Sequence, residues 1–147
     1  MILAADVSAR IEAQVSDLAG RVREAVDLTE LIRQKALPQA AVSAFVLPLG
    51  LRARSEGDAA TGAFTQMIDE LFGVLLVVRA AGDVTGAKSL PKIDALIWAI
   101  VNAVCGWGPD DAIGVFRLSR GQLLSTAAGA SQYQLDFAIQ QQVRILE

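Results

Sequence analysis

From Tyr133 to Ile145 the chain alternates. Tyr133, Leu135, Phe137, Ile139, Val143 and Ile145 take one set of positions, Gln134, Asp136, Ala138, Gln140, Gln142 and Arg144 the other, and Gln141 alone breaks the apolar row. Strand side chains point to opposite faces with a period of two, so this stretch predicts one buried face and one wet face. At about 3.3 Å per residue the strand would run roughly 40 Å, well past the usual length of about five or six residues. It has to pair along most of that course.

The rest of the chain supplies partners for it. Phe64 to Arg79 reads as a second long strand, with Phe64, Ile68, Phe72, Val74, Leu76 and Val78 on one face and Met67, Leu71, Leu75 and Val77 on the other. Both faces are apolar in its second half, where a sheet backed on one side should be wetter, so a connecting segment or a neighbouring subunit is expected to cover the second face. Val42 to Leu47 reads as a strand that Pro48 ends. Ile113 to Leu118 and Gln122 to Thr126 read as strand pieces with a bend or bulge at Arg120 and Gly121, and a turn near Gly129 makes a hairpin into the last strand.

The helices follow from a different period. Val7, Ile11, Val15 and Leu18 share one stripe behind Asp6 as N-cap, predicting a helix from Val7 to Ala19 that Gly20 closes. Arg21 to Val26 is a short strand, and Leu28 to Lys35 a short helix. Ser89 and Pro91 open the best helix, whose stripe is Leu90, Ile93, Ile97, Ile100, Val101 and Val104. Gly106 is expected to end it as a Schellman cap, with Trp107 packing back and Pro109 blocking continuation. Leu49 to Gly62 mixes Gly50, Gly57 and Gly62 with Arg52, Arg54, Glu56 and Asp58 and reads as a long functional loop, mobile in the isolated protein. Gly82 and Gly86 flank a turn. The fold class expected is α+β: a mixed or antiparallel sheet of long strands backed on one face by two main helices.

A chain of 147 residues predicts a single domain over 1–147 with a core that needs neither metal nor disulfide. It is 53% hydrophobic with a mean hydropathy of +0.42, a slight surplus of apolar surface that points to an oligomer. The longest apolar run, Phe72 to Val78, is far short of the roughly 20 residues of a membrane span, and no export signal is expected. The lone Cys105 fits a reducing compartment. A net charge of −3 argues against tightly held nucleic acid.

Chemistry is hard to place on this chain. There is no histidine, so the commonest general base, nucleophile partner and zinc ligand is missing. Asp69 and Glu70 are adjacent and point to opposite faces of a strand, and Asp110 and Asp111 fall in a turn, so neither pair converges. Cys105 reads as a small core residue. No catalytic, cofactor-binding or metal-binding residue is assigned, and no cofactor is expected.

An amphipathic N-terminal helix, Ala44-Phe45-Val46-Leu47-Pro48, a polar loop, Phe72-Gly73-Val74-Leu75-Leu76-Val77-Val78, a helix closing on Cys105-Gly106-Trp107-Gly108-Pro109, and a final hairpin follow in that order. In order and spacing the chain resembles the tail terminator proteins of long-tailed bacteriophages, of the Mu-like phage and prophage type. The resemblance implies a structural protein, not an enzyme. It also implies a homohexameric ring that caps the head-proximal end of the tail tube, stops tube growth and offers a surface to the head–tail connector or stopper protein. The implied partners are the chain itself, the tail tube protein and that connector, with DNA only passing through the lumen and no membrane. The implied location is the virion tail, after assembly in the host cytoplasm. Arg52, Arg54, Met67, Leu71, Leu75 and Val77 are the candidate contacts with a neighbouring subunit or partner. A small ligand-binding or regulatory α+β module, an enzyme using carboxylates, and another phage neck or tail completion protein are the alternatives.

Overall fold

The computed structural model describes residues 4–33, 38, 40–60, 62–79, 89–109, 114–127 and 129–146. In chain order these form α1 (Ala4–Gln14), a 3-10 turn (Ser16–Leu18), β1 (Val22–Glu24), α2 (Ala25–Arg33), β2 (Val42–Ala53), β3 (Asp58–Ala60), β4 (Ala63–Arg79), α3 (Ser89–Val104), β5 (Phe116–Ala127) and β6 (Ala130–Leu146). The Gly82 and Gly86 turn, Asp110, Asp111, Ile113 and Lys35 lie outside the described residues. The strands form one mixed sheet in the order β1-β2-β4-β6-β5, with β3 also on β4. Among the described residues only the β1–β2 pairing is parallel.

The spine is β4 against β6, paired from Ala63↔Leu146 to Arg79↔Ala130 without a register shift. The alternation that begins at Tyr133 therefore belongs to a strand three residues longer at its start, and pairing along its whole length is what satisfies its backbone. β5 is one strand rather than two pieces. It absorbs extra residues at shifts between Leu118 and Arg120 and between Leu123 and Ser125.

On one face, called the back here, Val7, Ile11, Val15 and Leu18 from the N-terminal segment and Ile93, Leu96, Ile100 and Val104 from α3 bury Phe72, Val74, Leu76, Leu135, Phe137 and Ile139. The two main helices thus back one side of the sheet, as the periodicity predicts. The first helix stops earlier than expected. Val15 is extended (φ −114°) and the apolar stripe continues in a 3-10 turn, because a β-branched residue followed by Ser16 and Asp17 is a poor continuation for a helix.

The end of α3 departs from the expected Schellman pairing. Gly106 has the positive φ of 78° that such a cap needs, but its N–H donates to the Phe116 carbonyl at 2.9 Å, and the Phe116 N–H donates to Trp107 O at 2.8 Å. The helix terminus is stitched to β5, and its one bond back past Gly106 is the Trp107 N–H to Val104 O at 3.2 Å rather than the Schellman pair. Trp107 stacks on Phe116 with centroids 5.7 Å apart, and Phe116 meets Phe72 edge-on at 6.1 Å.

The opposite face, the front, is covered by α2. Leu28 and Leu31 pack on a small cluster of Phe45, Leu75, Val77 and Ala130. Leu75 is 6% and Val77 3% exposed, so the cover for these two comes from within the chain.

The largest correction concerns Leu49 to Gly62, which is not a loop. β2 continues through Pro48 to Ala53, shifting register between Pro48 and Gly50, and β3 resumes the pairing at Asp58↔Thr65. Proline is tolerated because β1 flanks β2 only from Ala44 to Val46, so among the described residues no strand needs an N–H from Pro48 on that side, and Gly50 takes φ 126° at the bulge. The glycines punctuate a hairpin.

Candidate surface of the projecting hairpin

The sheet outruns its helices. Past Pro48 on β2, below Asp69 on β4 and past Ile139 on β6, burial falls away, and a three-stranded tongue of β2 and β3, β4, and β6 extends from the body. Among the described residues neither long edge has a strand partner, since β1 stops at Val46 and β5 pairs no further than Phe116↔Ile139.

The front of the tongue is organised by Asp69. Its carboxylate is 3% exposed, while Arg52, Arg54 and Arg117 around it are 56%, 42% and 43% exposed. Arg117 Nη2 donates to Oδ2 at 2.9 Å and Arg52 Nη2 to the same oxygen at 3.3 Å. Arg54 Nε lies 3.3 Å from Oδ1, an ionic contact without hydrogen-bond alignment, and Oδ1 has no hydrogen bond among the described residues. Arg54 Nη1 instead donates to Gln140 Oε1 at 2.8 Å. Burial acts to raise the Asp69 pKa, but hydrogen bonds from Arg117 and Arg52 and the fields of Arg117 and Arg54 outweigh it and hold the carboxyl below its ordinary value. Three guanidiniums on one carboxylate leave two positive charges uncompensated, held on half-exposed side chains.

The back of the tongue is apolar. Pro48, Leu51, Ile68, Phe72 and Val143 line a shallow hollow with Glu70 and Gln141. Leu51 is 67% and Ile145 57% exposed. Gln141 interrupts the apolar row because the helices no longer cover that position, and its Nε2 donates to Glu70 Oε2 at 3.3 Å.

The candidate contact residues therefore separate. Arg52 and Arg54 come together on the front around Asp69, with the half-buried Met67 and Leu71 on the same face of β4. Leu75 and Val77 do not join them, being buried under α2, and are corrected from contact residues to core. Arg117 and Asp69 were missed as members. A buried aspartate facing arginines on other strands has no signature in a single sequence, because only the register brings Arg52 opposite Asp69 and Arg117 opposite Ala138. Among the described residues no group of three His, Cys, Asp or Glu is placed to hold a metal, and Cys105 is half-buried.

What this arrangement offers is contact surface: open strand edges, a charged front and an apolar back, carried on a rigid ladder. The chain belongs to the phage tail terminator protein family, whose match spans residues 2–146, and is a structural component of a phage tail. No curated protein matches it.

Proposed function

We propose that the chain forms a hexameric ring on the head-proximal end of the tail tube, ends tube polymerisation and presents the surface to which the head–tail connector or stopper joins. It meets copies of itself, the tail tube protein and the connector, is assembled in the host cytoplasm, and leaves a lumen through which DNA passes. Family membership over nearly the whole chain supports the tail role. The observation that carries the assembly reading is the tongue, whose open edges and exposed Leu51 and Ile145 are surfaces that a soluble monomer ordinarily hides.

Electron microscopy of tails made with and without the protein tests this. Its presence should fix tube length with a ring of density at one end, and its omission should give overlong tubes that do not join heads. Tubes of normal length in its absence would refute the reading.

A further inference from the structure

Two features on opposite sides of the sheet are unexplained by the fold. The first is the front array of Arg52, Arg54 and Arg117, with its surplus positive charge. Arg120, exposed on β5, stands opposite Asp136 and adds no net charge to it. The second is on the back. Helix α3 buries Ile93, Leu96, Ile100, Ala103 and Val104 and leaves Pro91, Asp94, Ala95, Trp98 and Asn102 as its outer stripe. Trp98 is 60% exposed. An indole that large costs apolar hydration unless something covers it, and tryptophan and arginine are the side chains that most often dominate protein interfaces.

Asp94 and Trp98 sit four residues apart, neighbours on one helix face. A carboxylate beside an aromatic face is a composite receptor for a guanidinium, which pairs with the first and stacks on the second. The chain itself carries the matching arginines on its other side. We propose that a second copy of this chain is the occupant, and that the Arg52–Arg54–Arg117 front of one subunit docks on the Asp94–Trp98 stripe of the next.

The two patches differ and lie on opposite faces of the sheet, so the contact is front to back. A front-to-back contact leaves each copy with one patch unused, and it propagates until a ring closes. Asp69 is then a positioning residue, holding three mutually repelling guanidiniums in one array. The contact deepens the ring reading and rests on it.

The test uses the full chain with two charge reversals, Arg52→Glu and Asp94→Arg, analysed by native mass spectrometry alone, mixed, and with tube protein. Each alone should be folded by circular dichroism and should self-associate at least about tenfold more weakly than wild type. Mixed in equal amounts they should assemble again. The altered front of one fits the altered back of the other, and the two native patches fit each other, so an alternating ring with an even number of subunits closes. Trp98→Ala should weaken association to a similar degree, and iodide should quench Trp98 in the monomer but not in the ring. If Arg52→Glu does not fold, Arg52→Gln, which keeps Arg54 and Arg117 on Asp69, takes its place and is read by its weakened self-association alone, without the mixing arm. Wild-type chain that stays monomeric with and without tube protein overturns the ring reading itself. Wild-type rings that the single variants form equally well, or variants that stay apart when mixed, overturn the contact and leave the ring reading standing.

Discussion

Arg117 reaches Asp69 across an intervening strand. Its Nη2 on β5 lies 2.9 Å from an Oδ2 on β4, and the residue of β6 opposite Arg117 is Ala138, whose small side chain leaves the path open. A carboxylate so buried is stable as an anion only because those arginines outweigh its desolvation.

Asp69→Asn removes the one negative charge in the array while keeping its shape. It should destabilise the monomer by about 1–3 kcal/mol at neutral pH, measured by urea unfolding. The folded carboxyl has its pKa below the unfolded value of about 4, so its contribution is fully present above that value and disappears as pH falls through the folded pKa. The wild-type advantage over Asp69→Asn should hold steady from neutral down to about pH 5 and shrink below about pH 4. An advantage that grows on acidification contradicts the assignment.

Leu75→Glu places a carboxylate between α2 and the sheet, where the native side chain is 6% exposed. It should cost several kcal/mol, of order 3 or more, and yield unfolded or insoluble protein rather than a folded monomer. A soluble, native circular dichroism spectrum would mean that α2 does not close over this site.

Two glycines after α3 should respond differently to alanine. At Gly108 an added Cβ would run into the carbonyl oxygen of Gly114, which is backbone and cannot swing aside, so Gly108→Ala should cost about 1–3 kcal/mol by forcing β5 outward. Gly106 has open space but φ 78°, and Gly106→Ala should cost about 1 kcal/mol from backbone strain alone. Thermal melts of the pair should rank Gly108→Ala below Gly106→Ala.

Arg10 ties the first helix to the third. Its Nε donates to Ala103 O at 2.9 Å near the end of α3, and its guanidinium lies 5.4 Å from the centre of the Trp107 ring. Arg10→Ala should lower stability by about 1–2 kcal/mol, and Arg10→Lys should recover only part, since a point charge cannot both stack and donate in the same geometry. Chemical denaturation of the three proteins gives the ranking.

Periodicity made the body legible. The alternation from Tyr133 and the two-faced run from Phe72 to Val78 are local signals, and the helices betrayed themselves through stripes such as Ile93, Ile97 and Ile100. The tongue was not legible, because from Leu49 to Gly62 the strand is interrupted by a bulge at Gly50 and a four-residue step from Arg54 to Gly57. Its partner β4 fixes it through pairings that no window of β2 contains. α2 escaped as the front cover for a similar reason. It is nine residues long, with only Leu28 and Leu31 meeting the sheet cluster, too few to announce a face. The arginine array lay furthest from view, since its members are separated along the chain by β3, β4 and α3.

The uninterrupted ladder between β4 and β6, all 17 residues of each, also sets how the subunit bears load. A force drawing the tip of the tongue away from the helical body acts along both strands, which pass unbroken from tongue to body, so their covalent backbones carry it and the hydrogen bonds between them are not peeled singly. The tip and the body then move as one lever. A push received at the tongue is delivered, with little lost in bending, to the helix layer at the other end.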